Sequence, residues 1–201
     1  MARKNVLLRR DEIIDTMVDQ IAQRGIAATR VADVASAMGV STGLIHYHFD
    51  TKEALLAEAF PRAMQHDLDD LAEIVARKGT ALARLRAVIK LYYPADGAPG
   101  WRLWIDGWAA ALRDAGLADV MRDIDVVWRS AVQDLIVEGN HAGEFDCVDP
   151  ETSAARIAAL LDGLAVQSVV RGAGPTAAKR KRWVADVLEF ELRRPDPDTV
   201  K

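Results

Sequence analysis

From Arg9 to Arg24 the apolar positions Ile13, Ile14, Met17, Val18, Ile21 and Ala22 recur at the i, i+3, i+4, i+7 intervals of one helix face, and Gly25 supplies a stop. A second, shorter helix is predicted from Thr29, whose hydroxyl can cap it, through Val31, Val34, Ala35 and Met38 to Gly39. Ser41 can cap a third, Thr42 to His48. Only Met38-Gly39-Val40-Ser41 separates the two, with glycine where a positive φ is required. Two short helices joined by a glycine turn, with an earlier helix to pack against, make a helix-turn-helix.

The helical pattern continues to the end of the chain. A longer helix is predicted from Asp50-Thr51 to about Lys78, kinked or interrupted by Pro61. The pattern restarts at Gly79-Thr80 and runs through Tyr93, before the loop Pro94–Gly100. Helices over 101–115 and 117–140 follow, separated at Gly116, then a connection over 141–149. The last pair spans 150–172 and 176–193, split by Gly172-Ala-Gly-Pro175, and Pro195 and Pro197 mark a solvated tail. No alternating β pattern of useful length occurs, so the fold class is all-α with about nine helices. The expected organisation is a helix-turn-helix domain over 1–52, a larger helical domain over 53–194, and a flexible tail over 195–201.

Composition narrows the function classes. The chain has 201 residues and a single cysteine, Cys147, so no intramolecular disulfide is possible and a reducing compartment is the natural setting. The basic start, MARKNVLLRRDEII, lacks the apolar run of a signal peptide, and charged residues interrupt every candidate for a membrane span. These features lead us to expect a cytoplasmic protein without a membrane partner. Net charge is −4, with seven Lys/Arg and six acids in residues 1–52 and −5 in the remainder. Any contact with nucleic acid therefore rests on placed groups rather than on bulk field. Enzyme signatures are missing: there is no phosphate-cradling glycine loop, nucleophile elbow or Cys-x-x-Cys, and no motif calls for a cofactor.

The stretch STGLIHYHFDTKEAL, Ser41 to Leu55, concentrates polar groups. His46 and His48 suggest a metal, but residues two apart on a helix point about 200° away from each other, and no Cys, Asp or Glu completes a set at a spacing of three or four. No metal site is expected. A recognition helix accounts for the groups better, because its N-terminal residues reach base edges in the major groove. Ser41, Thr42 and Gly43 occupy that N-terminus, Tyr47 and His48 lie one turn on where they can reach phosphate, and Lys52 opens the next helix, where a cation calls for an anion. Leu44, Ile45 and Phe49 anchor the helix to the core. The alternatives are that Tyr47 covers the core and that Lys52 is a solvated helix start.

Residues 9–60, and above all RVADVASAMGVSTGLIHYHFDTKEALLAEAF, resemble the DNA-binding domain of the TetR family of transcriptional repressors. The resemblance implies a homodimer with one such domain per subunit, bound to a pseudo-palindromic operator in double-stranded DNA, and a helical domain behind it that binds a small-molecule effector. It also implies groove contacts from Thr42 and Gly43, phosphate contacts from Tyr47, His48 and Lys52, and backbone contacts from Thr29 and Arg30. His46 is divided between packing and a phosphate contact.

Four of the five tryptophans fall between 101 and 128. Trp101, Trp104 and Trp108 share a helix face with Ile105 and Leu112, and Trp128 shares one with Met121, Ile124, Val132 and Leu135. Such stripes are either core or the wall of a cavity. The segments WRLWIDGWAAALRDAGLADVM, LIVEGNHAGEF and DPETSAARIAALLDGLAVQ are similar to the C-terminal domain of choline-responsive, BetI-type regulators. A tryptophan-walled cavity suits a flat aromatic ligand or a cationic amine over ring faces, with Asp125 as the first acid to consider and Glu138 and Asp162 behind it. The last two helices present Ile157, Leu160, Leu161, Leu164 and Val169, and Val184, Val187, Leu188 and Leu192, a small-residue apolar face that reads as a dimer interface. In the implied mechanism the dimer sets two recognition helices about 34–36 Å apart. An effector between the tryptophan-bearing helices favours another spacing, with the long helix from Thr51 as the lever.

Overall fold

The computed structural model describes residues 2–93, 99–170 and 175–192. Nine helices lie among them: α1 (Ala2–Arg24), α2 (Val31–Met38), α3 (Thr42–His48), α4 (Lys52–Ala76), α5 (Ala81–Tyr92), α6 (Pro99–Ala111), α7 (Ala115–His141), α8 (Pro150–Val169) and α9 (Ala177–Glu191). The described residues contain no strand, in agreement with the all-α class expected from periodicity. Most of the loop predicted over 94–100, most of the break at 172–175 and the whole tail at 195–201 lie outside the described residues.

Several boundaries differ from the sequence expectation, each for a local reason. Helix α1 begins at Ala2 rather than Arg9, an extension that the apolar periodicity does not report. Thr29 is not the cap of α2. Its side chain is fully buried and its hydroxyl lies 2.8 Å from the Gly25 carbonyl, so Arg30 takes the cap position and its N–H donates to Asp33 Oδ2 at 2.8 Å. Pro61 does not interrupt α4. A single proline removes one backbone donor, and Phe60 and Met64 on either side of it are buried. Gly116 does not separate α6 from α7 but sits in the first turn of α7, where Asp114 caps by accepting the Leu117 N–H at 3.1 Å. The predicted cap Ser41 does act as such, accepting from Leu44 N, and Thr80 caps α5 by accepting from Ala83 N. Gly39 ends α2 at φ 66°, the left-handed conformation that makes the tight turn into α3.

The chain divides into two compact units, one formed by Met1–His66 and Arg102–Ile124 and the other by Asp67–Trp101 and Asp125–Lys201, so α4, α6 and α7 contribute residues to both. The core of the first gathers Ile13, Met17, Ile21, Val34, Ile45, Leu55 and Phe60, all buried. Leu85, Val88, Leu135, Ile136, Ile157 and Leu161 are buried in the second.

Candidate nucleic-acid interface and ligand cavity

In the first unit, α3 buries one side and exposes the other. Ile45 and Phe49 face the core, while Ser41, Thr42, Gly43, His46 and Tyr47 are exposed and His48 is half-buried. Tyr47 is 74% exposed, which disposes of the reading that it covers the core. Its ring meets that of His48 edge-on at 5.1 Å. The end of α3 is pinned by a residue the sequence did not single out. The Arg10 guanidinium stacks 4.2 Å over the Phe49 ring, donates to the His48 carbonyl at 3.3 Å and pairs with Glu58.

The start of α4 is tied differently from expectation. Lys52 Nζ donates to the Ile26 carbonyl at 2.8 Å, which leaves two of its three protons for other partners. The Ile26 N–H on the same residue donates to Asp106 Oδ2 of α6. The α1–α2 turn is thus gripped on both sides by charged groups from two other helices. Gly25 belongs to this grip: its φ is 81°, and a Cβ there would lie 3.0 Å from Asp106 Oδ2. Of the two residues expected to touch DNA backbone from α2, Arg30 is exposed and Thr29 is buried.

The tryptophan stripe divides between the units. Trp104 and Trp108 lie in the first, with their rings 6.1 Å apart and Trp104 edge-on to Phe60 at 6.2 Å. Trp101 and Trp128 lie in the second, where each meets Tyr92 of α5, at 5.2 Å and 5.0 Å between ring centroids. Val88, Ile89, Tyr92, Trp128, Arg129 and Ile157 are among the residues lining a small cavity in this unit, with room for the centre of about one water, ≈ 10 Å³. Trp101 donates its indole N–H to the Tyr92 carbonyl at 3.2 Å.

The three acids expected as counter-ions are not equivalent. Asp125 pairs with Arg129 at 2.8 Å and Glu138 pairs with Arg84, whereas Asp162 accepts the Tyr92 hydroxyl at 2.6 Å. Burial pushes the Asp162 carboxyl above the usual range, the Tyr92 hydrogen bond opposes this, and the Asp125 charge adds to it. Burial, followed by the charge of Asp162, holds the Tyr92 phenol protonated far beyond the ordinary tyrosine range, so it stays a donor. Two carboxylates against one guanidinium leave the region one negative charge.

Of the expected dimer residues, Leu161, Leu164 and Val184 are buried within the chain and Leu160, Val187 and Leu188 are half-buried. Among the described residues of this region, the large apolar groups left exposed are Val170, Trp183 and Phe190, at 60%, 44% and 69%. No helix among the described residues is long and apolar enough to cross a membrane, and no group of three metal-binding side chains occurs among them.

Two sequence models match the chain. That of the bacterial regulatory proteins of the tetR family covers residues 13–59, and that of the C-terminal part of BetI-type transcriptional repressors covers residues 81–193. The chain belongs to the TetR family. The TetR-family chain is similar along most of its length to the HTH-type transcriptional regulator BetI of Ectopseudomonas mendocina, 27% identical over 199 residues that span 93% of this chain and 95% of the relative. BetI of Paraburkholderia xenovorans is likewise 27% identical, over 92% and 94% of the two chains. Among solved structures, a transcriptional regulator from Saccharomonospora viridis in complex with choline superposes with a TM-score of 0.80 at 28% identity, covering 93% of this chain and 98% of that one. A TetR regulator from Haloarcula marismortui, 20% identical with a TM-score of 0.79 over 92% and 98% of the two chains, shares the fold. This TetR-family protein is accordingly a DNA-binding transcriptional regulator that responds to a small ligand, and not an enzyme.

Proposed function

We propose that the protein is a cytoplasmic, homodimeric repressor that holds a pseudo-palindromic operator and releases it on binding a quaternary amine of the choline class. The observation that carries the effector assignment is the convergence of Tyr92, Trp101 and Trp128 beside Asp162, which has no basic partner among the described residues. Ring faces attract a cation, at about 0.5–2 kcal/mol each, and a carboxylate without a counter-ion completes the site. Asp125 is the weaker candidate because Arg129 already neutralises it. The choline carried by the S. viridis regulator belongs to the same ligand class.

On the DNA side, Ser41, Thr42 and Gly43 meet the groove while Arg30, His46, Tyr47, His48 and the remaining protons of Lys52 meet phosphate. Domain 1–52 supplies these contacts, and 53–194 supplies the effector site and the interface. Trp183, Val187 and Phe190, spaced at i, i+4 and i+7 on α9, form that interface across a two-fold axis, joined by Val170 and Leu160 of the α8 region.

Coupling follows from size. A cavity with room for about one water admits choline only if its walls move. Trp101, one of those aromatic groups, shares α6 with Asp106, which holds the α1–α2 turn. The test is calorimetric titration of the purified protein with choline and with neutral aromatics of similar size. Saturable choline binding that neutral compounds do not match is expected; neutral aromatics binding as well as choline would overturn the assignment.

A further inference from the structure

Helix α3 has only 7 residues, too few to hold a helix unaided, so the direction in which it carries Ser41 to His48 depends on what fastens it to its neighbours. Its anchors Ile45 and Phe49 are buried, and Phe49 is also its C-cap, in extended conformation. Arg10 of α1 closes that end of the helix on three sides. Its guanidinium lies 4.2 Å from the centre of the Phe49 ring, its Nη1 donates to the His48 carbonyl at 3.3 Å, and its Nη2 pairs with Glu58 of α4. The His48 carbonyl is one of the acceptors that a helix end leaves without a partner, and the helix dipole favours a cation there. A flat group stacked on a ring with donors in two directions is a geometry that guanidinium meets and ammonium does not.

We infer that Arg10 is a positioning residue for DNA recognition, which clamps Phe49 and the His48 carbonyl and so fixes where Tyr47 and His48 stand, without itself meeting the duplex. The exposed Tyr47 ring, edge-on to His48 at 5.1 Å, immediately precedes the clamp, so a rotation of the last turn of α3 moves both groups. The inference rests on the reading of α3 as the recognition helix and adds the residue that sets its angle. A phosphate contact by Arg10 is the competing role, and chemistry separates the two. A phosphate contact works through charge, which lysine keeps; the clamp works through the planar fork, which lysine lacks.

The experiment measures binding of the full chain by anisotropy over a range of salt, with a duplex selected on the wild-type protein and with a scrambled duplex of the same composition. Arg10→Lys and Arg10→Gln are both expected to bind the selected duplex about tenfold more weakly, the worth of roughly one base contact, while the scrambled duplex and the salt slope hold at wild-type values. Wild-type affinity in Arg10→Lys, with a slope lower by about one unit in Arg10→Gln, makes Arg10 a phosphate contact and overturns the inference. Wild-type affinity in both variants overturns it as well, and so does equal weakening on the two duplexes. If the wild-type protein selects no duplex, the reading of α3 falls and this inference falls with it. Where neither Arg10 variant folds, Glu58→Gln at an exposed position releases one side of the clamp. The preference for the selected over the scrambled duplex is then expected to fall about threefold, the scale of one exposed ion pair, and an unchanged preference overturns the inference.

Discussion

Burial disfavours the ionised form of Asp162, and nothing but the Tyr92 hydroxyl offsets it. Two opposite pH dependences follow from the raised carboxyl. The folded state holds the proton more tightly than the unfolded chain, so the group's stabilising contribution is present below the unfolded carboxylate pKa and is lost as pH rises through the folded value. Cation binding needs the ionised form, so affinity falls as pH is lowered through that same value. Asp162→Asn is therefore expected to keep or raise the melting temperature at neutral pH, lower choline affinity on the order of tenfold and flatten its pH dependence. Calorimetry across the pH range would check this, and a variant that binds choline as the wild type does would remove Asp162 from the site. Neither the part proposed for Tyr92 nor the preference for Asp162 in the proposed site was legible in the sequence. They come from α5 and α8, 36 and 34 residues from Trp128, and only packing shows that Asp125 and Glu138 already have basic partners.

At the scale of elements, the helix-turn-helix was legible because its determinants are consecutive: Gly39, the Ser41 cap and the apolar spacing of Ile45 and Phe49 act within a few residues of one another. The grip on the α1–α2 turn was not, since Asp106 lies 80 residues from Ile26. The division of the tryptophan stripe was not legible either. Periodicity places Trp101, Trp104 and Trp108 on one face, but α6 passes from one compact unit to the other between Trp101 and Arg102. Lys52 now has two roles to separate. As a phosphate contact it contributes about 0.9 to the salt slope of DNA binding; as a donor to Ile26 it only positions α4. Lys52→Ala is expected to lower that slope by about one unit without changing sequence preference, measured by anisotropy over a range of salt. Weaker binding with an unaltered slope would assign Lys52 to positioning alone.

At the scale of the whole molecule, apolar periodicity marked α8 and α9 as interface helices but could not say which face is turned outward. Leu161, Leu164 and Val184 are spent on the chain's own core, and Trp183 and Phe190 remain exposed. Large exposed aromatics on one helix are the natural anchors of a two-fold contact. The double variant Trp183→Ala, Phe190→Ala is expected to sediment as a monomer and to lose operator affinity while still binding choline. A double variant that remains dimeric would place the interface elsewhere. In the proposed dimer ligand and DNA would oppose each other, because operator affinity would depend on the spacing of two recognition helices, and an effector would shift it only by its differential affinity for the two spacings, typically about 1–3 kcal/mol. The most direct test is a selection of random duplex DNA on the purified protein, sequenced in parallel without and with saturating choline. A palindrome with half-sites one helical turn apart is expected to be enriched without choline and depleted with it. No palindrome, or one whose enrichment ignores choline, would contradict this expectation.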